Sequence, residues 1–149
     1  MLNDLLRVLV VVGSGTVAGV FVAVTLSVMP ALAVLPTGTY VRVHCLLGKG
    51  YHPIMPLVVL LVLAGDIVLA VTTPHLPLLT VAIVAQLGVQ GVSHLGNERL
   101  NKRVRAVDGN TVGADWNDPR EAWRRWHLLR TVLAIVVFAI NATIAVLPS

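Results

Sequence analysis

Four long apolar segments dominate the sequence and limit what it can fold into. They cover approximately residues 5–30, 54–73, 77–97 and 119–147, and each is long enough to cross the hydrocarbon core of a bilayer as a helix. Only 12% of the residues are charged and the mean hydropathy is +0.85, whereas about 25% of the residues in a soluble domain are charged. The sequence therefore predicts an all-α fold: a four-helix transmembrane bundle in which residues 1–149 form one integral membrane domain.

The placement of basic residues predicts the orientation of the bundle. The first connecting segment carries Arg42 and Lys49, and eight further Lys and Arg residues lie between Arg99 and Arg130. Because cytoplasmic loops are enriched in Lys and Arg, we expect the loops at about 36–53 and 98–118 to face the cytoplasm and both termini to lie outside a cytoplasmic (inner) membrane. The pI near 10.0 fits this topology. Acidic residues interleave with the basic ones, so no nucleic-acid partner is expected.

The third apolar segment carries a polar stripe that a lipid-facing helix would not keep. Its polar side chains recur at spacings of three, four and seven, so on a helix they share one face. An unpaired polar group in hydrocarbon is costly. The stripe is therefore expected to face protein, water or a ligand, and its members are Gln86, Gln90, Ser93, His94, Asn97 and Asn101.

Three polar residues are expected deeper in the bundle. Asp66, Gln86 and Asn141 each lie roughly 16–20 Å from the cytoplasmic surface when the helices are traced at ~1.5 Å per residue. These residues, with Gln90 beside them, could join helices through hydrogen bonds. Alternatively, Asp66 could belong to a proton or ion path, because ionisable residues inside membranes are often functional.

Four of the five histidines are expected at the cytoplasmic surface. His44 and His52 lie in the first basic loop, His94 ends the third span and His127 begins the fourth. Glu98 follows His94 by four residues, so both side chains share a helical face. One interpretation is a site for a single transition metal (iron, copper or zinc), with His94, Glu98 and either His127 or His44 as ligands. Another is that the histidines are structural groups at the interface.

A third interpretation is acid–base chemistry without a metal. Histidine titrates near neutral pH, so His94 or His127 could remove a proton from a substrate. Arg130 lies one helical turn from His127 and could stabilise a phenolate or enolate oxygen, or simply anchor the helix at the headgroups. Asn97 and Asn101 could orient a polar substrate edge or bridge helices.

Several stretches of the chain resemble the anthrone oxygenases, a family of small four-helix membrane proteins. They are VMPAL (28–32), YHPIMP (51–56), HLGNERLN (94–101) and W-x-x-W-H-x-x-R-T (123–131). The resemblance implies oxidation of a hydrophobic anthrone to an anthraquinone with molecular oxygen and no organic cofactor. The motif positions that it singles out are Asn97, Asn101, Trp126, His127 and Arg130.

The leading hypothesis is therefore a membrane oxygenase acting on a hydrophobic small molecule. A second hypothesis is a non-catalytic membrane subunit, because Gly15, Gly19 and Ala23 form a small-residue face that lets another helix, including one from a second copy of the chain, approach closely. A third is a small-solute or proton carrier that uses Asp66.

Overall fold

The computed structural model describes residues 1–51, 54–113 and 115–148. Within these ranges, four helices are long and apolar enough to cross a membrane: α1 (Leu2–Ala33), α3 (Ile54–Thr72), α4 (Leu76–Arg105) and α5 (Arg120–Val146). A shorter helix, α2 (Thr37–Tyr51), lies between α1 and α3. The predicted all-α, four-helix transmembrane bundle is confirmed.

The four spanning helices form a ring. Both α1 and α4 pack against α3 and α5. Asn3 donates a hydrogen bond to the Thr72 carbonyl and Arg7 donates one to the Leu147 carbonyl, so the start of α1 meets the ends of α3 and α5. The two ends of the described chain therefore lie at one end of the bundle. That this end faces outside remains a prediction.

The interior and the exterior of the ring are both largely apolar, as expected for a bundle in lipid. One buried cluster fills the half nearest the chain ends and includes Leu69, Leu79 and Ile144. Large side chains such as Leu61 and Val132 stay exposed on the outside, where hydrocarbon rather than water would surround them.

Two of the spanning helices contain a π-helical turn. These turns lie at Val24–Val28 in α1 and at Ser93–Asn97 in α4. In α1 the wide turn precedes Pro30, whose ring and missing N–H conflict with a regular helix. Such turns concentrate at functional sites. The sequence pattern predicts that α1 ends near residue 30, but the helix continues through the wide turn to Ala33.

The predicted loops at about 36–53 and 98–118 are helical in part, and their location on the cytoplasmic side remains a prediction. The segment 36–53 contains α2, which buries Tyr40 and Val41 against α1 and α4. The segment 98–118 begins with the last turns of α4, which run to Arg105. Hydropathy marks where the membrane ends, and charged residues such as Arg103 continue a helix beyond that point.

The small-residue face of α1 is divided between the interior and the lipid. A Cβ at Gly15 would lie 3.1 Å from Phe138 of α5, whereas one at Gly19 would meet nothing within 4 Å. Ala23 is exposed. Assembly of two copies through this face remains a prediction.

Candidate functional site

A cavity of about 590 Å³ lies at the end of the bundle opposite the chain ends. This volume is in the range of small-molecule sites. Its walls come from all five helices, and α2 contributes one of them. Most of the lining is apolar, and both π-helical turns face it through Val24, Val28, Ser93, His94 and Asn97.

The polar stripe of α4, which the sequence predicts to face protein, water or a ligand, lines this cavity. Gln86 is the exception, because it lies deeper and donates a 3.0 Å hydrogen bond to the Val59 carbonyl. Among all the candidate site residues, the ones that line the cavity are His44, Gln90, His94, Asn97, Glu98, Asn101 and Arg130. His52 lies outside the described residues.

Arg130 is a cationic member of the cavity lining that lies next to aromatic rings. Its guanidinium carbon lies 4.5 Å from the centroid of the Phe21 ring and 5.8 Å from that of Trp123. Its Nε and Nη2 lie 3.0 and 2.8 Å from Nδ1 of His127. Among the described residues Arg130 has no acidic partner within ion-pair distance. No described carboxylate therefore neutralises the charge of its guanidinium.

His127 is fully buried and both of its ring nitrogens are used. Nε2 lies 3.0 Å from the Phe21 carbonyl, which can only accept a hydrogen bond, so Nε2 carries the hydrogen. Arginine can only donate, so Nδ1 of His127 accepts from Arg130. The ring also stacks on Trp123 at 5.0 Å. His127 does not line the cavity, so this geometry does not fit the hypothesis that it is the base.

A second network fixes the other side of the cavity mouth. The Asn101 oxygen accepts from Nε2 of His44 at 3.0 Å and from the Trp123 indole N–H at 2.9 Å. The Asn101 amide nitrogen donates to Glu98, which pairs with Arg105. Because Trp123 is only a donor, it sets the orientation of the Asn101 amide. His44 must then donate through Nε2, which leaves the lone pair on Nδ1.

His44 has the features of an oriented, neutral base. It is 8% exposed and lines the cavity. Burial lowers the pKa of its ring; the hydrogen bond to Asn101 offsets part of this change and the positive charge of Arg105 adds to it. A lower pKa keeps the ring unprotonated at neutral pH, the form that accepts a proton.

His94 lies in the same cavity but is held differently. It is exposed and makes no hydrogen bond to the described residues. No three histidine, cysteine, aspartate or glutamate side chains of the described chain are placed to share a metal ion. The predicted metal ligands His94, Glu98, His127 and His44 are therefore not grouped around a common point in the described chain. The nitrogens of His127 are also occupied, by Arg130 and a carbonyl.

The deep polar residues are buried as predicted but do not form the expected network. Asp66, Gln86 and Asn141 are at most 1% exposed. Asn141 neighbours Asp66, yet neither side chain makes a hydrogen bond to the described residues. Gln86 bonds to backbone instead.

Sequence reasoning missed the central role of Trp123. Its position near the start of α5 indicates an interfacial anchor, but the indole is half-buried and contacts His127, Arg130 and Asn101 together. The W-x-x-W-H-x-x-R spacing was the available signal. The spacing predicts that residues 123, 127 and 130 share one helical face. It does not indicate that this face points into a cavity.

Comparison with known proteins identifies the family. The family model for anthrone oxygenase matches residues 44–140. No curated protein and no solved structure matches the chain. The matched region covers more than half of the chain and includes every cavity-lining residue of α2, α3, α4 and α5. The chain therefore belongs to the anthrone oxygenase family.

Proposed function

We propose that this protein is a membrane-embedded oxygenase that oxidises a hydrophobic, anthrone-type aromatic substrate with molecular oxygen. The observation that carries the proposal is Arg130, a cation without an acidic partner among the described residues, in the wall of a largely apolar cavity. Family membership supports the reaction class. A fold alone does not imply a function, so the proposal depends on the residues of the cavity.

The substrate would bind as a flat apolar molecule with one polar edge. The cavity is of a size that takes a small polycyclic aromatic. Phe21 and Trp123 supply aromatic surface next to Arg130. The polar edge would then lie toward Arg130, and the apolar remainder against α1 and α3.

The first chemical step would be removal of a proton from the methylene carbon of the anthrone. The negative charge that results is delocalised onto the ketone oxygen. Arg130 would stabilise this oxyanion, and such preorganised donors are often the largest single contribution to catalysis. The electron-rich carbanion then reacts with oxygen.

His44 is the base that we assign to this step. Asn101 fixes its tautomer and orientation, and a base held by a third group is the arrangement expected for proton abstraction. His94, one of the two bases that the sequence suggests, lines the same cavity and is the alternative. Turnover of His44→Ala compared with that of His94→Ala distinguishes the two.

The overall reaction balances with oxygen alone. The CH₂ group becomes C=O, and one O₂ is reduced: one of its atoms enters the new carbonyl and the other leaves as water. The proton taken by the base returns in that water. The described residues therefore need to supply a base, an oxyanion donor and an apolar slot.

The proposal is tested with purified protein in detergent and 1,8-dihydroxyanthrone, followed by absorbance of the anthraquinone. Arg130→Gln should lower kcat by about 10²–10³-fold, the usual effect of removing one oxyanion donor. Arg124→Gln is the matched control, since Arg124 is exposed on the same helix and pairs with Glu121. Wild-type turnover in Arg130→Gln would refute the proposal.

A second candidate function rests on Asp66. Its two carboxyl oxygens are buried without hydrogen-bond partners among the described residues, and such groups inside a membrane are often functional. Passage of protons or a small solute would use this group. Loss of flux in proteoliposomes on Asp66→Asn would support this candidate, and undiminished flux would remove it.

A further inference from the structure

His127 does not line the cavity, yet its ring contacts Phe21, Trp123 and Arg130, which do. It is 0% exposed. Its ring is fixed by stacking on Trp123 with an interplanar angle of 3° and by an edge contact with Phe21 at 5.6 Å. The hydrogen bond from Nε2 to the Phe21 carbonyl ties α5 to α1. All these contacts restrict how the ring can turn.

The consequence of this fixation falls on Arg130. An arginine has five N–H donors in a rigid plane, and two of its nitrogens here donate to Nδ1 of His127. The third nitrogen, Nη1, makes no hydrogen bond to the described residues and is not among their buried unpartnered atoms. The guanidinium plane is thus set by His127, with Nη1 left for another acceptor.

We infer that His127 is a positioning residue: its neutral ring fixes the guanidinium of Arg130 between α1 and α5, so that Nη1 is presented to an oxyanion in the cavity. This inference rests on the proposed function for the identity of the oxyanion. It replaces the hypothesis that His127 is the base, because a base needs a free lone pair toward the substrate and Nδ1 is already occupied.

The geometry also separates this role from simple packing. A space-filling residue in place of His127 would preserve the contact with Trp123 but give Arg130 no acceptor. A side chain with an amide would supply an acceptor for Arg130 and a donor for the Phe21 carbonyl. The two replacements should therefore behave differently if positioning is the role of the ring.

The test uses a readout that does not need turnover. The probe is 1,8-dihydroxyanthraquinone, whose visible absorption moves to longer wavelength when a phenol ionises. Bound beside a cation, the phenol should ionise at lower pH than in free solution. We expect His127→Leu to remove most of this shift, as Arg130→Gln does, and His127→Gln to retain part of it. His75→Leu, at the opposite end of the bundle, is the matched control and should keep the whole shift.

The double variant His127→Leu/Arg130→Gln should show no loss beyond that of Arg130→Gln, because the first residue acts through the second. Three results would overturn the inference: no ionisation shift in the wild type, a full shift in His127→Leu, or an added loss in the double variant. If His127→Leu does not fold, the comparison of His127→Gln with the wild type and with Arg130→Gln decides.

Turnover provides an independent check. In His127→Gln the acid side of the pH–rate profile should persist, because the base is another residue, while kcat falls about tenfold or more. Disappearance of the acid side would show that His127 is the base and would end the inference. Absence of turnover in the wild type would count against the proposed function alone, since the dye measurement stands without it.

Discussion

Replacing Asn101 with aspartate should move the pH dependence of turnover in a direction set by its contact with His44. The Asn101 oxygen accepts from Nε2 of His44 at 3.0 Å. Aspartate keeps this oxygen and nearly the same shape but adds a negative charge. A carboxylate next to an imidazole favours the protonated ring, so the pKa of His44 should rise.

The size of the effect follows from that distance. An opposite charge within about 4–6 Å shifts a pKa by about 1–3, against a wild-type pKa that burial holds below its ordinary value. At a pH well below the pKa of His44, each increase of 1 in that pKa lowers the unprotonated fraction of the ring about tenfold. We therefore expect the acid limb of kcat/KM to move to higher pH by about 1–3, whereas at a pH above both pKa values the base is unprotonated in both proteins and the two rates converge.

The assay is initial-rate anthraquinone formation from about pH 5 to about pH 9, with background oxidation subtracted. Aspartate at this position also faces Glu98, whose Oε2 lies 3.3 Å from the Asn101 amide nitrogen. The double variant Asn101→Asp/Glu98→Gln removes that repulsion, and Glu98→Gln alone is its control. An acid limb that stays at the wild-type position in the double variant would refute His44 as the base and would favour His94.

Three further predictions concern stability and the deep carboxyl group. Gly96→Ala should lower the free energy of unfolding by ~1–3 kcal/mol, because the added Cβ would overlap the Trp126 ring; an unchanged thermal midpoint in detergent would contradict the packing. Arg120→Gln should lower the free energy of unfolding by about 1.5–3 kcal/mol, since Nη1 of Arg120 donates to three carbonyls at and just beyond the end of α1; an unchanged thermal midpoint would contradict this. Asp66→Asn should raise the thermal midpoint, because it replaces a buried carboxyl without hydrogen bonds by a neutral amide. A lower midpoint would show that the carboxyl stabilises the fold, and lost anthrone turnover would show that the proposed reaction needs it.

The sequence predicts the bundle well because the signals are local. Apolar length identifies the four spans, and the period of the α4 stripe identifies the face that lines the cavity. The helical repeat predicts that Gln90, Asn97 and Asn101 share one face, and all three line the cavity. The helix α2 escapes prediction because Gly38, Gly48 and the basic residues resemble a loop until tertiary contacts bury Tyr40.

The roles within the site depend on contacts between distant segments, which one sequence does not reveal. His127 is a plausible base by residue type, but the carbonyl of Phe21 and the Arg130 side chain occupy it. His44 gains its orientation from Asn101, which lies 57 residues away along the chain. The π-helical turns that open α1 and α4 toward the cavity have no sequence signature as clear as the proline that follows one of them.

Oxygen uptake by the purified protein tests the central claim most directly. With 1,8-dihydroxyanthrone in a closed cell, the account predicts one O₂ consumed per anthraquinone formed, at a rate that depends on Arg130 and not on Arg124. Uptake no faster than the background without protein, or equal uptake in wild type and Arg130→Gln, would contradict it.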